Sequence, residues 1–431
     1  MKRRSGEIVR HRGATKRVGR SVLLLVWLGV SVSVGDAFGQ TTPERSAAQY
    51  VEEVHALLRE AGRADIAEKE AAALRERAQQ LARQYAARLK DRATGSEDRF
   101  HLGYLYYLAN DVENMVAVFR ELMRDRTVSE EDRQRLRLYL IEKYCESGRL
   151  REAEEERAAI SPDAFNAKEV MAAAAMRLAV AYTEAGQLEH AMRAQEAAYA
   201  AARQSGVIPL AWKAARALAE LYVAMGKVNE SRAVLSQLKD ELQRQLSWAE
   251  GEAVQTLTRT VAQIESTLAQ LELIGKTAPE IAVAKWIEEP PTRLAELRGR
   301  VVVLEFWAAW CPDCRGLIPH IRRWAARYEK EGVKILAVTR YYGFNGREVG
   351  RASKEEEERF LAEFKRLREL PYGTALDDGQ RSFETYHVTW VPTIAIIDRS
   401  GRIRYIFTWN ENPSLGEWMI RQVLSESASE R

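Results

Sequence analysis

Two cysteines two residues apart, Cys311-Pro312-Asp313-Cys314, are the residues of this 431-residue chain whose types and spacing could do chemistry. They follow the apolar, β-branched run Val301–Phe306 and the stretch Trp307-Ala308-Ala309-Trp310, and they open an amphipathic segment over 315–330. The pattern predicts a buried strand, a short connection and a helix that begins at the cysteines. Two thiols on the first turn of a helix can close a disulfide with little backbone movement. The unpaired N–H groups there, and the positive end of the helix dipole, favour the thiolate, which is the attacking species in disulfide exchange. A structural disulfide or half of a zinc site would use the same residue types. Zinc needs a second ligand pair, and the third and last cysteine is Cys145, with no His at ligand spacing beside Cys311. The residues favour a redox centre made of the cysteine pair itself, with no metal and no bound cofactor.

Four segments, in chain order, carry a resemblance. Gly275-Lys276-Thr277-Ala278-Pro279-Glu280 is followed by Leu294-Ala295-Glu296-Leu297-Arg298-Gly299-Arg300, then by Phe306-Trp307-Ala308-Ala309-Trp310-Cys311-Pro312-Asp313-Cys314, and much later by Trp390-Val391-Pro392-Thr393. Together they resemble the thioredoxin superfamily, and within it the TlpA/ResA-like extracytoplasmic thiol–disulfide oxidoreductases. The resemblance implies that Cys311 attacks a substrate disulfide and that Cys314 resolves the mixed disulfide, the two forming the redox-active disulfide. It also implies a cis-Pro loop at Pro392 that leaves the Val391 backbone free to pair with a substrate peptide, with Trp310 shaping the same surface. Pro319 would kink the active-site helix. Glu305, a carboxylate inside an apolar strand, needs a task or a partner there. It aligns with the buried acid of thioredoxins that accepts the proton of the resolving cysteine, and the plainer reading is a strand-end residue paired with an arginine.

The chain departs from the family pattern in three places. Leu317 stands where many TlpA-like proteins carry Glu, and Arg340-Tyr341-Tyr342-Gly343 replaces a common acidic pattern. Residues 347–370 read as an insertion with a charged helix, whose Glu355-Glu356-Glu357-Glu358 run is expected to be a solvated face. These departures bear on substrate choice rather than on the chemistry.

Length and charge place this centre in a larger frame. A chain of 431 residues exceeds one compact core. Residues 1–39 read as a signal peptide: eight Lys/Arg against Glu7 and Asp36, an apolar run over 22–34 shorter than a membrane span, and Ala37-Phe38-Gly39 at the cleavage end. Without that segment the formal charge changes from +3 to −3, so nothing points to a nucleic-acid partner. Export would put the cysteines in a periplasmic or other extracytoplasmic compartment, membrane-tethered where the signal stays uncleaved. A dithiol acting there as a reductant needs a donor. The family resemblance implies a membrane thiol-electron donor of the DsbD/CcdA type, and protein disulfides as substrates.

Residues 41–273 are rich in Ala, Leu, Glu, Arg and Gln, and read as helix almost throughout. Tyr106/Asn110, Tyr144/Gly148, Tyr182/Gly186 and Tyr222/Gly226 each set an aromatic four residues before a turn-former, and the turn residues recur at intervals of 38, 38 and 40. Val112, Leu150, Leu188 and Val228 lie two residues past the turns, and Met115, Ala153, Ala191 and Ser231 five past them. This looks like a tetratricopeptide-like (TPR-like) array of helical hairpins. Each tyrosine is expected to fill the core of its hairpin, Met171 and Met176 to pack, and Cys145 to be a buried small residue. Stacked hairpins often present a concave face to a protein ligand.

The expected fold is therefore an all-α, TPR-like helical solenoid over 41–273, then an α/β thioredoxin fold over 275–431 with a central mixed sheet flanked by helices. The expected function is an exported thiol–disulfide oxidoreductase whose separable repeats recruit a partner. A thiol peroxidase would need Thr where Ala308 stands, and a scaffold with a vestigial redox domain would not need its cysteines, Trp310 and Pro392 intact.

Overall fold

The computed structural model describes residues 45–377, 379–408 and 412–429, and the expected signal segment lies outside them. Helices α1 (Ala47–Ala61) and α2 (Glu68–Leu89) precede four helical hairpins. These pair α3 (Ser96–Leu108) with α4 (Val112–Arg124), α5 (Glu130–Glu146) with α6 (Leu150–Ala158), α7 (Ala167–Glu184) with α8 (Leu188–Ser205), and α9 (Ile208–Ala224) with α10 (Val228–Leu246). Helix α11 (Glu252–Leu271) closes the series.

The repeated turn residues make the hairpins. Asn110, Gly148, Gly186 and Gly226 have φ of 57, 72, 72 and 74°. In that left-handed conformation the chain reverses, and the residue just past each turn donates its N–H to the tyrosine carbonyl, at 2.9 Å for Tyr106 and 2.8 Å for Tyr144, Tyr182 and Tyr222. Met115, Ala153, Ala191 and Ser231 then face the first helix of their hairpin and are fully buried. The expected core role of the tyrosines holds for Tyr106 and Tyr144, which are buried. Tyr182 and Tyr222 are half-buried instead, and their hydroxyls reach Glu154 and Glu196 on the second helix of the preceding hairpin, at 3.0 and 2.7 Å. Gly103 has a different purpose. A Cβ there would lie 2.2 Å from the Phe119 ring, so only glycine lets α3 and α4 close on that side chain.

The rest of the described chain builds one mixed sheet. Its strands are β1 (Val283–Ile287), β2 (Val301–Phe306), β3 (Val333–Thr339), β4 (Thr374–Asp377), β5 (Thr393–Ile397) and β6 (Ile403–Thr408), in the order β1-β4-β3-β2-β5-β6. Strand β3 runs parallel to β2 and β4, and the other pairs are antiparallel. Helices α12 (Pro312–Tyr328), α13 (Lys354–Leu367), α14 (Arg381–Thr385) and α15 (Pro413–Ser429) connect and cover it. All six residues of β2 are buried, because both faces of the sheet are packed. Val302, Leu304 and Phe306 join Phe383 and Tyr386 on one face. Val301 and Val303 join Leu317, Ile321 and Trp324 of α12 on the other.

That second face is shared with the helical region. Its buried cluster continues without a break into Leu218 and Leu221 of α9 and into Leu257 and Ile264 of α11. Helices α7 and α9 pack on α15, α9 and α11 pack on β6, and Asn412 donates to the Thr183 hydroxyl at 3.2 Å. Residues from Arg45 onward form one compact unit. The secondary structure changes near residue 274, from helices to the mixed sheet, and one buried cluster spans the change. Helices α7 and α9, which lead the later hairpins, pack on the chain's own sheet region.

Alanine in place of an interior helix glycine ordinarily gains ~1 kcal/mol of propensity. Gly103→Ala is expected to lose stability instead, because overpacking against Phe119 costs ~1–3 kcal/mol. A urea midpoint shifted upward would show that Phe119 has room to move.

Candidate active site

Strand β2 delivers the chain into the connection 307–310, and Cys311 occupies the N-cap of α12 with extended backbone, φ −77° and ψ 119°. Its sulfur takes the position a Ser or Asp oxygen takes in an ordinary cap, and accepts the N–H of Cys314 at 3.3 Å. Pro312, at the first helical position, has no N–H to leave unpaired and presets the helical φ. One turn of helix brings Cys314 behind Cys311. Cys314 is wholly buried and Cys311 is 4% exposed, both as free thiols.

The two sulfurs are pushed in opposite directions. The Cys311 thiol lies below its ordinary value, first because of the hydrogen bond with the Cys314 side chain, helped by the Cys314 and Asp313 backbone N–H groups against burial. Burial pushes the Cys314 thiol well up, and the bond with Cys311 adds to it. The shifts favour the thiolate form at Cys311 and the thiol form at Cys314.

Glu305 is the penultimate residue of β2, opposite Ala337 on β3 and Ile394 on β5, on the Val301/Val303 face that carries α12. Its carboxyl is 1% exposed, and burial raises its pKa to about 8. The expected alternative of a strand-end arginine pair does not hold, because its partner is the Tyr372 hydroxyl at 3.0 Å. Glu305 in turn helps to raise the Cys314 thiol, so the two groups are electrostatically linked.

The loop before β5 completes the surface. The Val391–Pro392 peptide is cis, and the Cys311 thiol donates to the Val391 carbonyl at 3.5 Å. Pro392 is buried, Val391 half-buried, and Trp390 42% exposed. Trp310 is half-buried and meets the Tyr342 ring edge-on at 5.4 Å. All six expected site residues thus gather around the start of α12. Pro319 lies inside α12, which remains helical on both sides of it. Cys145 belongs to a separate buried cluster in the helical region, where burial raises its thiol to about 12.

Several contributors escaped the sequence reading. Arg315 donates to the carbonyls of Ala309 and Trp310, at 3.0 and 2.9 Å, and so holds the connection into Cys311. Its place one residue after the cysteine pair was the available signal. Tyr372 had none, since Leu370-Pro371-Tyr372-Gly373 shows no periodicity. The Glu355–Glu358 run is corrected. Glu357 is 3% exposed and accepts the N–H groups of Tyr342, at 3.0 and 3.1 Å, and Gly343, at 2.8 Å. Glu358 pairs with Lys285 and with the Tyr341 hydroxyl, each at 2.5 Å. Glu356 closes a capping box with Ser353. A loop rich in backbone donors and aromatic groups lies over the start of α13 and turns Glu357 and Glu358 inward, while Glu355 and Glu356 stay exposed as expected.

With this geometry in view, comparison with known proteins is informative. Residues 274–406 match the AhpC/TSA family. The thiol–disulfide oxidoreductase ResA of Geobacillus thermodenitrificans is 31% identical over 135 residues, 31% of this chain and 69% of that protein. The chain belongs to the ResA-like thiol–disulfide oxidoreductases. ResA of Bacillus cereus is 29% identical over 130 residues, 30% of this chain and 66% of its own length. Protein DipZ of Mycobacterium bovis is 30% identical over 164 residues, 37% of this chain, but the match spans only 22% of DipZ.

Two pH dependences follow. Alkylation of Cys311 by iodoacetamide is expected to rise with a midpoint below the ~8.5 of a free thiol, with Cys314 left unmodified. A midpoint at or above that value would remove the capping argument. Glu305, with its folded pKa raised to about 8, stays protonated where an unfolded chain has already released its proton. The unfolded state binds fewer protons between ~4.3 and about 8, so the contribution of this group to stability is full below ~4.3 and falls as pH rises through that window. Glu305→Gln should flatten that fall in urea titrations at pH 5 and 8, and an unchanged slope would place the effect elsewhere.

Proposed function

We propose that the protein is an exported oxidoreductase that reduces protein disulfides by dithiol exchange through Cys311 and Cys314. The observation that carries this reading is the pair of opposed thiols at the N-terminus of α12. In the first step the Cys311 thiolate attacks one sulfur of a substrate disulfide. A mixed disulfide forms and the other substrate sulfur leaves as a thiolate. In the second step Cys314, deprotonated, attacks the Cys311 sulfur. The bond between Cys311 and the substrate breaks, the second substrate thiolate leaves, and Cys311–Cys314 is left oxidised. Two electrons have passed to the substrate. A thiol donor at the membrane, of the DsbD/CcdA type, would return the dithiol.

Glu305 takes the Cys314 proton in this scheme. A carboxylate of ordinary pKa is a weak base toward a thiol, and burial to about 8 narrows that gap. The cis-Pro loop would hold the substrate segment along Val391, with Trp310 and Trp390 at its edges. A peroxidase reading lacks its threonine, because Ala308 stands there, fully buried. Export is part of the proposal and rests on residues 1–39. Among the described residues no helix is long and apolar enough to cross a membrane.

Reduction of a disulfide-closed unstructured peptide by the mature protein tests the proposal. Cys311→Ser should abolish turnover and Cys314→Ser should accumulate covalent mixed disulfides. Retained reduction in the first variant, or loss without adducts in the second, would reverse or remove the assigned roles. Glu305→Gln should slow the second step about tenfold near neutral pH, by removal of a general base, with the deficit shrinking as pH rises.

A further inference from the structure

The two loops that frame Cys311 are each walled by the helical region. On one side the turn between α1 and α2 leans on the start of α12. Arg315, already holding the Ala309 and Trp310 carbonyls, also donates to the Gly62 carbonyl at 3.3 Å. Ala64 from this turn is buried in the same cluster as Cys311. Arg368, at the end of the inserted helix α13 and 4% exposed, binds Glu68 at 3.1 Å and the Arg63 carbonyl. Arg347 approaches Asp65 at 3.9 Å. The insertion that departs from the family pattern is thus the platform on which the first helical turn sits. On the other side, α11 reaches the cis-Pro loop: Ser266 and Gln270 both donate to the His387 carbonyl, at 2.5 and 2.9 Å. Trp212 and Arg216 of α9 and Gln263 of α11 line one crevice with Thr389 and Trp390, immediately before Val391.

We propose that these two walls make the helical region a fixed collar around Cys311, which restricts reduction to disulfides carried in extended, unfolded polypeptide. The inference deepens the disulfide-reductase reading and rests on it. A folded partner must lay ~800 Å² of its surface against the site to dock stably. Walls on both flanks of Trp310 and Trp390 deny that flat approach, and Cys311 is only 4% exposed between them. A single extended strand needs only the ~5 Å spacing of one added sheet strand. The collar is held by part-buried polar bonds and by the cluster shared with α9 and α11. The helices therefore exclude folded proteins from the thiol.

The test compares kcat/KM of the full mature protein on three disulfides. These are hydroxyethyl disulfide, a disulfide-closed 20-residue unstructured peptide, and a folded protein with a surface disulfide of matched reduction potential. The peptide is expected to react at least tenfold faster than the folded protein. Arg368→Ala and, separately, Glu68→Ala should loosen the first wall. Each should raise the folded-to-peptide ratio at least fivefold and leave the hydroxyethyl disulfide rate unchanged. Equal rates for peptide and folded protein in the unaltered chain would overturn the proposal with no variant needed. So would an unchanged ratio in a variant whose 62–67 amides exchange faster. Failure to reduce hydroxyethyl disulfide would instead sink the reductase reading, and the collar's role with it.

Discussion

The hydrogen bond from the Cys314 N–H to the Cys311 sulfur is the contact on which the site depends. It places a sulfur where a helix needs a capping acceptor, so the same geometry that starts α12 also favours negative charge on that sulfur. Other features follow from maintaining it. Strand β2 must end at a fixed point, which its pairing with β3 and β5 secures residue by residue from Val301 to Phe306. The connection 307–310 must not drift, and the Trp307 N–H on the Val338 carbonyl, with Arg315 on the Ala309 and Trp310 carbonyls, fixes its two ends. Pro312 removes the donor that would otherwise compete.

The buried acid and the buried thiol behind this cap are one electrostatic problem. Cys314 and Glu305 both lie in a low-dielectric layer between β2 and α12, where neither charge is stable. Burial raises both, so ionising either is costly, and the layer can hold one negative charge at a time more readily than two. The Tyr372 hydroxyl gives the carboxylate one compensating donor. Its ionised form is thereby kept within reach, whereas an acid with no donor would be locked protonated. Burial is the largest obstacle to ionising Cys314, and the hydrogen bond with Cys311 and its charge come next.

How much of this could be read from the sequence depends on whether a feature is local. The turn residues Asn110, Gly148, Gly186 and Gly226 announce the hairpins because only a few residue types tolerate positive φ, and the structure puts all four there. The cysteine spacing, the β-branched strand before it and Pro392 are local in the same sense, and together they placed the site. Glu357 was misread because a run of four glutamates looks solvated by composition. What turns it inward is a set of N–H donors at Tyr342 and Gly343, some fifteen residues away and unlabelled by any motif. Tyr372 and the Gly62 contact are more distant still, and no periodicity reports them.

The shared core explains why the helical region and the sheet cannot be treated as independent parts. The sheet face carrying Val301, Val303 and Tyr405 needs cover, and α12 and α15 supply part of it, while α9 and α11 complete it with leucines and isoleucines. Buried polar groups mark the same seam: Glu220 on α9, 5% exposed and raised to about 8 by burial, and Asn412 on Thr183. Such groups are costly unless the surrounding packing is fixed, since a wrong register would leave them without compensation. They specify one arrangement of helices over the sheet. The later hairpins are thereby aligned on β6 and α15, and the chain from α1 onward is directed back toward the inserted helix α13. Arg368 then receives Glu68 at the far end of the same array, so the walls beside Cys311 follow from how the sheet face is covered and need no separate positioning device.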